Sequence, residues 1–306
     1  ERIRPDDETT RTLRPYPEEA WVSIHTDDCD AIGTTEAILT DIYTAHDTRW
    51  QAKIVDANFL LGIHRKVQTE NGERSVVLTQ TAYVDGMMQA FQEEVIEAGM
   101  EHKTMTTPFP QGVFLRKSDA SEEEARIVHD RGYRRLVGML LWATRGVFPE
   151  CQQGCSQLGH VLSNPSEQAW KSGIHMLKWM HDHRTHGLRF TSKGNMMPII
   201  FSDASNKPDP DDGFSRYGFA AMLAGGPIAT TSKKLAHVGL SAFHNEYMAL
   251  RHAAGQAMWI RNLARESGLS YMTREPTIIY GDNQAANKLT KEDFISSGNQ
   301  YIYLPY

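Results

Sequence analysis

Cysteine is scarce: Cys29, Cys151 and Cys155 are the only three in 306 residues. So sparse and odd a set fits a reducing compartment and excludes a small secreted scaffold built on disulfides. Long apolar runs are lacking as well. The best stretch, Val137 to Ala143, falls well short of the roughly 18 residues that a membrane-spanning helix requires, so no membrane role is expected. The opening residues ERIRPDDETTRTLRPYPEEA are too polar for a signal peptide, which leads to the expectation of an intracellular protein, cytoplasmic or nuclear. Excess positive charge is missing too. The net charge of −6 offers no overall basic face of the kind that marks nucleic-acid binders, although Lys233-Lys234 and Arg131, Arg134 and Arg135 form local basic clusters.

What remains is a chain with 40% apolar residues, enough to bury one sizeable core or two or three smaller ones. Residues 1–20 mix charge, Pro and Thr without periodicity and read as a disordered tail. Trp21 to Ile24 predicts a strand, Thr26-Asp27-Asp28 a turn and the residues up to Gly33 a return strand. A helix follows over Thr34 to Trp50, with Ile38, Leu39, Ile42 and Ala45 on one face.

Asn58 to Val67 reads as one strand and Ser75 to Leu78 as its hairpin partner across Asn71-Gly72. Thr79 or Thr81 is expected to cap a helix running to Ala98. After a Pro-rich linker over 104–112, three helical patterns cover Tyr133 to Thr144, Glu150 to Leu162 and Glu167 to His183. Cys151, Cys155 and His160 tempt a zinc reading, but a structural zinc site takes four ligands. No fourth lies near Pro165, and the segment reads as helix.

At Gly187 the periodicity changes. Leu188 and Phe190, Pro198 to Phe201, Tyr217 to Leu223 and Pro227 to Thr231 are strand-like, with a turn at Gly225-Gly226-Pro227. Ser241 to Ser267 is the longest helix, with Tyr247, Leu250, Ala254, Ala257 and Ile260 at helical spacing. Thr277 to Tyr280 is a final strand and Gln284 to Leu289 a short helix. The expected class is α/β, with a mostly helical middle before a mixed sheet.

Three acidic residues occupy element junctions in this last region: Asp203 in IIFSDAS, Glu246 in FHNEYMAL and Asp282 in TIIYGDNQ. The order strand end, helix face, strand end can gather the carboxylates at one point, where hard divalent cations take oxygen ligands. Taken alone, either aspartate reads more simply as a turn or capping residue. Glu246 adds weight, because an acid on a helix face that packs on a sheet is costly unless paired or metal-bound, though it also suits the edge of the stripe near a helix start.

The motifs around these residues resemble those of copia-class long-terminal-repeat retrotransposon Pol polyproteins. Ser202-Asp203-Ala204, Gly225 to Ile228, Ser232 to Lys234, Ser241 to Tyr247 and Asp282-Asn283-Gln284 match that family's ribonuclease H region in order. Upstream, Phe59 to Ile63, Leu78-Thr79-Gln80 with Tyr83, Thr107-Pro108, Tyr133 to Gly138 and Thr144-Arg145 are similar to segments of its reverse transcriptase. The resemblance implies a partial palm and thumb over 21–103, a helical connection over 104–187 and a C-terminally truncated ribonuclease H-like domain over 188–306.

By that resemblance, Asp203, Glu246 and Asp282 are catalytic and hold two Mg²⁺ or Mn²⁺ ions about 4 Å apart. The partner is an RNA/DNA hybrid whose RNA strand is hydrolysed, with Asn283 and Gln284 reading 2′-hydroxyls and Lys233 and Lys234 contacting phosphate. On charge alone the two lysines read equally well as a solvated turn. Asp27 and Asp28 correspond to the polymerase Asp-Asp turn, preceded here by His25-Thr26 in place of an aromatic and a valine. Polymerase activity is not expected from this stretch alone. Tyr303 stands where the family carries an acidic residue, which implies weaker metal binding. Two further readings stay open: a catalytically decayed nucleic-acid-binding remnant, and an accessory structural subunit for a full-length Pol chain.

Overall fold

The computed structural model describes residues 18–26, 28–53, 58–205, 213–236 and 241–290. It divides into two compact units, one up to Arg65 and one from Lys66. The expected tail falls almost wholly outside the described residues, as do Asp27 and Tyr303.

In the first unit, β1 (Ala20–His25) and β2 (Asp28–Gly33) form an antiparallel hairpin in which His25 faces Asp28. Asp28 is thus the first residue of a strand. Thr35 caps α1 (Glu36–Trp50) by accepting from the Ile38 amide, and the helix ends where the sequence pattern ends. Its apolar stripe is only partly covered: Ile38, Leu39 and Ile42 are half-buried, Ala45 is exposed, and no residue of α1 is fully buried. The single strand expected over 58–67 is instead two, β3 (Phe59–Leu60) and β4 (Ile63–Glu70). Leu61 and Gly62 adopt φ of 51° and 78°, a two-residue turn whose twist suits a tight hairpin, and Leu60 pairs with Ile63. Within this unit the Arg65 guanidinium grips both Asp30 carboxylate oxygens, at 2.7 and 3.1 Å.

Strand β4 runs on into the second unit, where Asn71-Gly72 turns the chain into β5 (Glu73–Thr79) as the sequence predicts. β6 (Leu188–Thr191), expected to open the C-terminal sheet, pairs antiparallel with β5 instead, from Ser75 with Thr191 to Leu78 with Leu188. The intervening helices are α2 (Thr81–Ala90), α3 (Gln92–Glu97), α4 (Glu122–Asp130), α5 (Tyr133–Gly146), α6 (Gln152–His160) and α7 (Glu167–Asp182). The one helix predicted up to Ala98 is broken at Phe91, whose φ of −127° departs from helical geometry.

Neither candidate threonine caps that helix. Thr79 ends β5, and the Thr81 hydroxyl donates to the Arg184 carbonyl. Helix α4 had no counterpart in the apolar pattern, yet its cap is legible: Ser121 accepts from the Glu124 amide and Glu122, Glu123 and Glu124 fill the first turn. The core of this helical layer is apolar and aromatic, with Tyr133, Leu136, Leu140, Trp170, Ile174 and Leu177 almost wholly buried.

The remaining elements are β7 (Ile199–Ala204), β8 (Arg216–Leu223), β9 (Gly226–Lys234), α8 (Ala242–Glu266), β10 (Ile278–Gly281) and α9 (Gln284–Leu289). Their sheet has the order β10-β7-β8-β9, with β10 parallel to β7 and the other neighbours antiparallel. The β8–β9 turn is Ala224-Gly225, both at positive φ, one residue ahead of the turn that the glycines suggest. Helix α8 lies on one face. Ala253, Ala257 and Ile260 pack on Ile200 and Ala221, so Ala253 rather than the predicted Ala254 belongs to the buried stripe. The fold is therefore mixed α/β. No helix among the described residues is long and apolar enough to cross a membrane.

Candidate metal centre

Alternation along β7 buries Ile200, Ser202 and Ala204 and exposes Phe201 and Asp203. Asp203 is the penultimate residue of the strand and not, as its sequence suggested, a residue beyond it. Parallel pairing sets Gly281 of β10 beside Ser202. The next residue, Asp282, therefore leaves the sheet at the same edge as Asp203.

Helix α8 supplies the third carboxylate. Ser241 starts the helix by accepting from the His244 amide at 3.1 Å, and Asn245 is anchored by donating to Ser215 Oγ at 2.8 Å. These fixings anchor the first turns of α8 and bring Glu246 close to both aspartates.

One ligating oxygen from each of Asp203, Glu246 and Asp282 lies within 4.8 Å of the other two. No other group of three or more such ligand atoms occurs among the described residues. Three oxygen donors at this spacing fit a hard divalent cation, which carries six or more oxygen ligands and retains several waters. Burial pushes the Glu246 carboxyl up to about 7, helped by the negative charge of Asp203 and then of Asp282, while a hydrogen bond from the Ala204 amide opposes the shift. Like charges at close range are the reason a cation would be welcome there.

Two contributors are not among the residues singled out from the sequence. Gly281 lets β10 approach α8, because a Cβ on it would stand 3.1 Å from Leu250 Cδ2 and 3.2 Å from Asn287 Oδ1. Asn287 in turn donates to the Gly281 carbonyl at 2.7 Å. The glycine in Tyr280-Gly281-Asp282 was a visible signal for close approach. The Ala204 amide had none, since every residue but proline carries one.

The flanking residues fall into different places. Asn283 Oδ1 accepts from the Ala286 amide at 2.9 Å and so caps α9, with Gln284 as its first residue. Lys233 is exposed at the end of β9, whereas Lys234 is half-buried, its ammonium 3.3 Å from His160 Nε2. Both lysines belong to the strand and not to a turn after it. Cys151 and Cys155 are buried free thiols. Burial pushes both up, Cys155 to about 11. The Cys155 sulfur sits 3.1 Å from the Thr144 hydroxyl, in packed interior and away from any ligand set.

The chain's homologues include retrotransposon Pol polyproteins. It is 24% identical over 254 residues to the retrovirus-related Pol polyprotein from transposon TNT 1-94 of Nicotiana tabacum, spanning 82% of this chain and 18% of that protein. A putative transposon Ty5-1 protein of Saccharomyces cerevisiae is 24% identical over 198 residues, 64% of this chain and 58% of that protein.

A narrower relation follows. Over 128 residues the chain is 30% identical to secreted RxLR effector protein 161 of Plasmopara viticola, covering 42% of this chain and 90% of that protein. The chain belongs to one family with that protein; secretion and an effector role are said of that protein alone. No family model matches the chain, and no solved structure does.

Proposed function

We propose that this chain is a retrotransposon polyprotein segment whose Asp203, Glu246 and Asp282 carry a copia-type ribonuclease H activity on RNA/DNA hybrids. The observation that carries the reading is the convergence of the three carboxylates within 4.8 Å, from the motifs whose order first suggested it. The transposon homologues support the same class of function.

In this reading the three carboxylates would hold Mg²⁺ or Mn²⁺. Bound there, the metal would supply a water activated for attack on phosphorus and a Lewis acid for the leaving 3′ oxygen. The chain's own contribution is to bind and orient. Asp203 and Asp282 present exposed carboxylates from adjacent strand ends, while Glu246 comes from the helix and is held by the Ala204 amide at the end of β7. With its carboxyl raised to about 7, Glu246 would have to lose its proton before it could serve as a ligand. Cleavage therefore strengthens as pH rises through neutrality.

The test is a labelled RNA/DNA hybrid incubated with Mg²⁺ or Mn²⁺ and either the purified chain or its Asp203→Asn variant. Cleavage by the parent and loss of cleavage in the variant support the assignment. Equal cleavage by both sinks it.

A further inference from the structure

A second site lies on the flank of α8 away from β10. There Tyr217, Thr231 and Lys233 of the sheet and Arg251, His252 and Gln256 of the helix line a cleft of about 460 Å³, a volume in the range of small-molecule sites. Tyr217 and His252 lie flat on each other, ring centroids 4.1 Å apart and planes 10° apart. The resulting two-ring stack stands at one wall, where an outer face is available for a further planar ring. Lys233 and Arg251 are exposed cations, Thr231 and Gln256 add a hydroxyl and an amide, and the described lining contains no carboxylate.

We propose that this cleft binds a nucleotide, its base against the Tyr217–His252 stack and its phosphate between Lys233 and Arg251. A flat π-face beside two cations suits an aromatic ring that carries an anion, since stacking and charge-assisted contacts act on adjacent parts of the same ligand. The amide of Gln256 and the hydroxyl of Thr231 can each donate and accept, which suits the polar edge of a base. Register ties the cleft to the carboxylate cluster: Tyr217 pairs with Ala204 on one side and Lys233 on the other, and its neighbour Gly218 faces Asp203. The cleft does not itself require the metal centre.

Gly255 makes the cleft testable without disturbing the fold. It is an exposed helical residue on the cleft wall, and a Cβ added to it meets nothing within 4 Å. Gly255→Leu therefore improves helix propensity while projecting a side chain into the space.

The experiment titrates the full chain, in EDTA, with two probes: AMP, and a short 5′-phosphorylated single-stranded DNA oligonucleotide followed by fluorescence anisotropy. Binding of either probe is expected, lost in Gly255→Leu and weakened about tenfold in Lys233→Ser by removal of one charge-assisted contact. Stronger binding of AMP identifies a free nucleotide as the ligand, and stronger binding of the oligonucleotide identifies a strand. Asp203→Asn should bind as the parent does, which separates this result from any outcome at the carboxylates. No binding of either probe at millimolar concentration overturns the proposal. So does unchanged binding by Gly255→Leu when circular dichroism shows that it is folded.

Discussion

The amide of Ala204 donates to the Glu246 carboxylate. That contact links the end of β7 to the second turn of α8. It sets Glu246 one residue from Asp203 in space, although 43 positions separate the two acids in the chain (246 minus 203). The hydrogen bond favours the charged carboxylate, whereas burial and the two aspartates oppose it, and the opposition wins.

Replacing Glu246 by Gln should separate stability from activity. The variant removes a carboxylate that burial and two like charges disfavour, so in EDTA at pH 8 its melting temperature should equal or exceed the parent's. Hybrid cleavage should fall by about a hundredfold or more, as expected when a metal ligand is lost. A destabilised variant with full cleavage would contradict both expectations.

The same carboxyl gives stability a pH dependence. Glu246 holds its proton more tightly in the folded state, at about 7 against an ordinary 4.5, so its contribution is fully present below pH 4.5 and lost as pH rises through 7. A divalent cation competes with that proton. Mg²⁺ or Mn²⁺ should therefore raise the melting temperature more at pH 8 than at pH 6. A metal-induced shift that is equal at both pH values would argue against carboxylate ligation by Glu246.

Gly281→Ala should weaken metal binding more than it weakens the fold. The new methyl presses on Leu250 Cδ2 and Asn287 Oδ1 at 3.1 and 3.2 Å, which a small shift relieves at a cost of about 1 kcal/mol. That shift falls on the residue before Asp282. Calorimetry with Mn²⁺ should show an affinity loss of roughly tenfold, against a minor change in urea midpoint.

Far from the carboxylates, Asp182→Ala should be among the more damaging changes in the helical layer. Asp182 pairs with Lys178, itself only 7% exposed, and also accepts from the Met105 amide. Truncation strands a buried cation and a backbone donor, at a cost of about 3–5 kcal/mol, readable by urea unfolding. Lys178→Met with Asp182→Ala should recover part of the loss, since no unpaired charge then remains.

Several features follow from local chemistry and were legible in the residues. Helix α8 was readable because Ser241 caps it and the spacing of Leu250, Ala257 and Ile260 is helical. The β5 hairpin was readable because Asn71-Gly72 tolerates positive φ. Where two local signals compete, the sequence alone does not decide between them. Phe59 to Val67 is apolar enough for one strand, yet Leu61 takes a left-handed conformation beside Gly62, and Thr81 offered a cap but bonds to a distant carbonyl.

By itself the sequence determined which residue types stood ready for chemistry: the acids at 203, 246 and 282, the motifs around them, and the helix and strands that carry them. Tertiary structure alone decided their meeting. Parallel pairing of β10 with β7 aligns Gly281 with Ser202, the absence of a side chain at Gly281 admits α8, and the fold brings three oxygens within 4.8 Å. Strand pairing and close approach are long-range events governed by hydrogen-bond register and packing volume. The stack of Tyr217 on His252 has the same origin, joining residues 35 positions apart (252 minus 217) through the way one helix lies on one sheet.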